Sequence, residues 1–167
     1  MSHGWFVTNV RDARWVRSDK FGAAALFDVQ DARFEELGIN IRVLEPGQPA
    51  SLYHAESAQE DFLVLRGECV LVVEGEERRL RAWDFVHCPP LTKHVFVGAG
   101  EEPCLILMVG ARNPGLDIVY PVEEAALRHG AGVEEETRSG PEAYAPYGPP
   151  QPGKPDGWDA LPWATEP

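Results

Sequence analysis

Between residues 39 and 109 the chain is a series of short apolar runs cut by turn signals. The runs are Ile39 to Leu44, Phe62 to Leu65, Cys69 to Val73, Asp84 to His87, Val95 to Val97 and Cys104 to Val109. Between them stand Glu45-Pro46-Gly47, Arg66-Gly67-Glu68, Glu74-Gly75-Glu76, Pro89-Pro90 and Gly98-Ala99-Gly100. Short runs at this interval predict antiparallel strands in a sandwich or barrel. Glu74-Gly75-Glu76, between Leu71-Val72-Val73 and Arg78 to Leu80, predicts a hairpin. In the last run Leu105, Leu107 and Val109 form the expected core stripe, with Ile106 and Met108 turned to a second sheet or a partner. Helical periodicity is confined to Val122–Arg128, which follows Pro121 and stops at Gly130, the usual proline and glycine boundaries of a helix.

The pattern changes at Thr137. The last 31 residues hold eight of the 15 prolines, four glycines, and Tyr144, Tyr147, Trp158 and Trp163. Proline density predicts irregular chain, and the aromatic residues predict that it is anchored on the body or on a neighbouring subunit. The expected organisation is therefore one β domain over residues 1–136, with its core at 39–109, and an extended arm over 137–167. A chain of 167 residues with 44% hydrophobic and 25% charged residues is of ordinary globular composition. Its formal charge of −12 repels phosphate backbones and anionic headgroups, so no nucleic-acid or membrane partner is expected. Cys69, Cys88 and Cys104 form no CxxC pair and read as buried reduced thiols. The N-terminal residues contain no apolar stretch of signal-peptide type, and no apolar run approaches the ~18 residues of a membrane helix. The expected location is cytoplasmic.

His54, Glu56, Glu60 and a later His94 are the polar residues with chemistry to offer. His54 and Glu56 share a face of an extended strand, and Glu60 shares parity with Phe62 and Val64. Imidazole and carboxylate together suit a divalent cation such as Zn, Fe, Mn or Ni. The segment GQPASLYHAESAQEDFLVLRG, residues 47–67, resembles the first cupin motif, with His54 at its first His, three residues between Glu56 and Glu60, and six between Glu60 and Gly67. The segment WDFVHCPPLTKHVFVG, residues 83–98, resembles the second motif, with Pro89 and His94 at its Pro and His. One motif pair, 15 residues apart (68–82), resembles a single-domain cupin.

The resemblance implies an all-β, single jelly-roll barrel with one divalent metal ion per chain at its mouth. It implies His54, Glu60 and His94 as ligands. Glu56 stands where the motif has a second His, and its role stays open between a fourth ligand, a catalytic base beside the metal and a solvent-facing carboxylate. Trp83 and Leu91 replace glycines, Gly98 replaces an Asn, and Gly47 is one residue further from His54 than the motif has it; the three second-motif changes are expected to fall in turns. His87 shares parity with Phe85 and could line the pocket, though a packed or exposed ring is the plainer expectation. Cupins support isomerase, dioxygenase, decarboxylase and lyase chemistry, and also non-catalytic binding. The reading is a metal-dependent enzyme, of dioxygenase, isomerase or lyase type, on a small oxygenated metabolite. The alternative is a non-catalytic small-molecule or metal-binding module. For a phosphorylated substrate, the only bases near the motifs are Lys93 and Arg66. The edges of a lone barrel predict a homodimer, with Trp158 and Trp163 buried in strand or arm contacts.

Overall fold

A computed structural model describes residues 5–28 and 34–164. Strands dominate, and they form two facing sheets. The larger sheet is built from β1 (Arg14–Ser18), β2 (Gly22–Leu26), β3 (Leu37–Leu44), β5 (Glu60–Arg66), β8 (Phe85–Cys88), β10 (Cys104–Ala111) and β12 (Gln151–Pro152), in the order β12-β1-β2-β3-β10-β5-β8. Opposite it lie β6 (Glu68–Val73), β7 (Glu76–Arg81) and β9 (His94–Ala99), in the order β7-β6-β9. Residues 49–54 run beside β9 through the bridges Pro49–Val97 and His54–His94. The short ribbon of β4 (Ala55–Glu56) and β11 (Ile118–Val119) follows. All pairings are antiparallel, and the architecture is a jelly-roll barrel.

All six apolar runs are strands. β6 and β7 are joined by two residues, Glu74 and Gly75, both at positive φ (46° and 81°), as a tight hairpin turn requires. Glu76 therefore opens β7 instead of closing the turn. The larger difference is N-terminal: β1 and β2 precede the first expected strand. β2 reads Gly-Ala-Ala-Ala-Leu, too small and uniform to announce a strand, and its first four residues are buried.

Side-chain alternation on β10 is the reverse of the expected one. Cys104 and Ile106 are buried inside the barrel with Leu44, Val64, Cys69 and Leu71, and Met108 packs against this core. Leu105 and Leu107 instead face a second cluster on the outer side of the large sheet, with Trp15, Ile41 and Val43. Both faces are covered, so apolarity alone could not tell inside from outside.

The outer cover comes from the arm. Trp158 and Trp163 lie 5.3 and 5.7 Å, centroid to centroid, from Trp15, and Leu161 is buried beneath them. Tyr144 and Tyr147 pack edge-on against Phe21 at 5.2 and 5.0 Å. These rings thus sit on the body of their own chain. The arm also carries regular pieces that its proline content did not predict: a one-turn helix α2 (Gly140–Ala143), β12 on the sheet edge, and a 3-10 turn at Trp158–Ala160. Before it, α1 (Glu124–Arg128) starts two residues later than the sequence suggested, with Glu123 accepting from the Ala125 amide as its cap. Ala125 and Ala126 pack on Tyr53, Val72 and Val95 outside the small sheet. Among the described residues no helix is long and apolar enough to cross a membrane.

Candidate metal centre

An antiparallel bridge brings the two histidines together from 40 positions apart. The His54 amide donates to the His94 carbonyl (3.2 Å) and the His94 amide to that of His54 (2.9 Å). Directly opposed residues present their side chains on one face, and the two rings lie 5.0 Å apart. Nδ1 of His54 is 2.7 Å from the Leu52 carbonyl oxygen, and Nδ1 of His94 is 3.0 Å from that of Thr92. A carbonyl can only accept, so each Nδ1 carries the proton and each Nε2 turns its lone pair to the cavity.

Glu60, the first residue of β5, completes the group. Its carboxylate is 3.4 Å from His94 Nε2, and one donor atom each from His54, Glu60 and His94 lie within 4.8 Å of one another. The protein environment favours the neutral form of all three. Burial, then the neighbouring His54, pushes His94 down to about 4. Burial also lowers His54, and burial with the nearby Glu56 raises Glu60 to about 8. Two neutral imidazoles with free Nε2 atoms and a carboxyl lacking a cationic partner among the described residues form a donor set that fits a divalent cation. The cation would ionise Glu60 and use both lone pairs.

Glu56 stands beside this group. Its carboxylate is 3.8 Å from His54 Nε2 and about a fifth exposed, and no donor atom of it falls within the mutual 4.8 Å of the other three. The Leu91 amide donates to the Glu56 carbonyl at 2.6 Å, tying the β8–β9 loop to the mouth. His87 lies elsewhere: its ring is half exposed on the outer face, with Nδ1 2.6 Å from Asp61. All three cysteines are buried free thiols. Burial pushes the Cys88 thiol up to about 12, which makes it a packing residue and not a nucleophile.

The motif departures have distinct structural outcomes. Trp83 and Leu91 hold φ of 76° and 70°, so the backbone keeps a glycine-type conformation with bulky residues in place. Gly98 is in strand β9, not in a turn, and a Cβ there would stand 2.2 Å from the Glu45 carbonyl oxygen. Gly67, at φ 75°, closes the first motif where a Cβ would meet the Pro103 carbonyl at 2.7 Å.

The histidines and Glu60 open into a cavity of about 390 Å³ inside the barrel mouth, roofed by Leu116, Ile118, Tyr120 and Tyr144. Its wall contains a residue that sequence reasoning missed. Inward positions of β3 are Gly38, Asn40, Arg42 and Leu44, so Arg42 points into the barrel, whereas Lys93 and Arg66 are surface residues paired with Glu74 and Glu102. The available signal was parity: Ile39, Ile41 and Val43 alternate with Asn40 and Arg42, a pattern also made by an ordinary strand with its polar face in solvent.

Residues 40–110 match the family model described as the cupin domain. With the barrel around them, this shows the class of that segment: residues 40–110 form a cupin domain, and solved cupin structures share the fold. Among solved structures it is similar to a protein of Acidithiobacillus ferrooxidans named as a candidate sugar phosphate isomerase, at 26% identity over 59% of this chain and 64% of that one, with a TM-score of 0.51. That match takes in just under two thirds of the other protein's length. A sugar phosphate isomerase of the cupin superfamily from Silicibacter pomeroyi is 22% identical over 80% of this chain and 93% of its own, with a TM-score of 0.61. A polyketide cyclase from Streptomyces resistomycificus is 15% identical over 67% of this chain and 83% of its own, with a TM-score of 0.57. No curated protein matches the chain by sequence.

Proposed function

We propose that His54, Glu60 and His94 hold one divalent metal ion at the barrel mouth, and that the protein is a metal-dependent enzyme acting on a small oxygenated metabolite in the adjoining cavity. The observation that carries this is the arrangement of two imidazole nitrogens and one partly buried carboxylate within 4.8 Å, each imidazole locked by a backbone carbonyl. Three protein ligands leave positions for substrate or water. A bound divalent ion supplies Lewis acidity to an oxygen of the substrate.

The chain supplies the rest. Glu56, beside His54 and partly open to the cavity, is placed to take or return a proton at a substrate carbon or oxygen, or to enter the metal shell as a fourth ligand. Phe62, Phe96 and Met108 give the cavity an apolar floor that restricts water. The similarity to proteins named as sugar phosphate isomerases and a polyketide cyclase supports chemistry on an oxygenated small molecule but does not choose the reaction.

Competitive titration with Mn, Fe, Ni and Zn, read by elemental analysis after gel filtration, tests the reading. Wild type and Glu56→Gln should each retain about one ion per chain, with metal preference changed in the variant if Glu56 is a ligand. His94→Ala and Glu60→Ala should retain none. A wild type that takes up no ion refutes the metal reading. A metal-bound shell already filled by Glu56, with no exchangeable water by relaxation measurements, favours a binding module over an enzyme.

A further inference from the structure

Arg42 is a largely buried cation that faces no anion among the described residues. Its Nε is sealed from solvent and has no hydrogen-bond partner. Its one bond is a long one, 3.4 Å from Nη1 to the Phe21 carbonyl, and among the described residues no carboxylate lies within ion-pair distance. Desolvation pulls its pKa down, the expected response of a charge that burial penalises. Asn40, two residues along the same inward face, has a buried Oδ1 that is likewise unpartnered. Both line the cavity that contains the histidines. A second groove, formed by the arm residues Pro141, Tyr144, Tyr147 and Pro149 with Phe21, also borders Arg42.

The arginine, histidine and glutamate side chains that share the cavity stand apart from Arg42. Arg112 is 2.9 Å from Asp28 and also donates to the Phe34 carbonyl. The carboxylates Glu56 and Glu60 adjoin the two histidines. With a divalent ion held as proposed above, ionised Glu56 and Glu60 would balance its charge and Arg42 would stay uncompensated. A buried guanidinium without a partner is costly, and its planar donor fork matches the oxygens of a carboxylate or phosphate. Tyr144 Oη accepts from the Leu52 amide at 3.1 Å, so its proton is free to donate at the same wall.

We propose that Arg42, with Asn40 and Tyr144 beside it, is the subsite for an anionic oxygen group of the ligand, a carboxylate or a phosphate ester. The substrate is therefore an acidic metabolite, held at one end by Arg42 and presented at the other to the histidines. This deepens the function proposed above and rests on it only for the charge balance. Near the motifs the sequence offers only Lys93 and Arg66 as bases for a phosphate, and both lie on the surface; Arg42 supplies one inside the cavity, for a phosphate ester or a simple organic acid.

The test uses the full chain supplied with metal, melted and titrated calorimetrically with succinate, glycerol 2-phosphate and the neutral succinamide. Wild type is expected to bind at least one of the two anions and to melt higher in its presence, and the anion that binds identifies the group. Succinamide should do neither. Arg42→Gln should weaken that binding at least tenfold, and Arg42→Lys, which keeps the charge but loses the fork, should weaken it less. Without ligand, Arg42→Gln should melt about 3 °C or more above wild type, because an unpaired buried charge has been removed. The proposal is overturned if neither anion binds wild type, if succinamide binds as well as succinate, if Arg42→Gln binds like wild type, or if ligand-free Arg42→Gln melts below wild type or fails to fold. Elemental analysis of the same samples separates the two readings. An anion response lost in Arg42→Gln with metal retained isolates Arg42, and an anion response in wild type without any metal leaves the subsite standing and removes the metal.

Discussion

The two ends of the barrel are made by the same strands and differ in what those strands turn inward. At the closed end β3 offers Leu44, β5 Val64, β6 Cys69 and Leu71, and β10 Cys104 and Ile106, all buried together. At the mouth the same faces offer Asn40 and Arg42 from β3 and Glu60 from β5, with His94 from β9 and His54 from the segment beside it. The backbone pairing is continuous across both ends: Leu44 pairs with Cys104, Arg42 with Ile106 and Asn40 with Met108. The hydrogen-bond ladder therefore carries the fold at both ends, whereas side-chain chemistry divides them. Apolar packing at the closed end stabilises the empty protein. Buried titratable groups at the mouth cost stability for as long as they stand unpaired.

Ile106→Ala removes a fully buried side chain from the closed end and should cost about 2–5 kcal/mol by denaturant unfolding. Chelation should act at the mouth alone. Loss of an ion present at a hundredfold excess over its Kd removes about 2.7 kcal/mol, and melting curves with and without chelator should show it while far-ultraviolet circular dichroism stays unchanged. Trp83→Gly, at a three-quarters exposed position with φ 76°, relieves a left-handed strain of about 1–2 kcal/mol, partly offset by about 0.5–1 kcal/mol of added unfolded-state entropy. The net expectation is a gain of about 0.5–1 kcal/mol in denaturant unfolding with metal uptake unaltered. The smallest effect is at Asp61, whose carboxyl is held below its usual range first by the hydrogen bond with His87 and then by Gln59. A depressed carboxylate stabilises above its unfolded pKa, and that stabilisation is lost as pH falls through the lower folded value. The pair is solvent-exposed, so Asp61→Asn should cost less than about 1 kcal/mol at pH 7, and the difference from wild type should vanish in strong acid.

Legibility in the sequence followed the same division. The strands of the closed end were readable because apolar runs and turn residues are local signals, and residues 54, 60 and 94 were readable because their spacing resembles a known motif. What the sequence concealed depends on which face of a strand turns inward. Ile106 and Leu105 are equally apolar, and only the arm's tryptophans on the outer face explain why both are buried. Arg42 alternates with Ile41 and Val43 as a solvent-facing arginine would, and its inward direction is decided by which sheet β3 joins. β2 lacks the β-branched residues that mark strands, and the arm's regular pieces depend on contacts with Trp15 and Phe21, more than a hundred positions away.

The contrast between the two ends is tested most directly by melting wild type, His94→Ala and Ile106→Ala in parallel, each first stripped of metal and then titrated with Mn or Zn. Wild type should gain several degrees with metal. His94→Ala should match or exceed metal-free wild type and gain nothing, and Ile106→Ala should start far lower yet gain as much as wild type does. A wild type that does not respond to either metal, or a His94→Ala protein that starts as low as Ile106→Ala, would contradict the account, because the mouth would then be a structural core like the closed end.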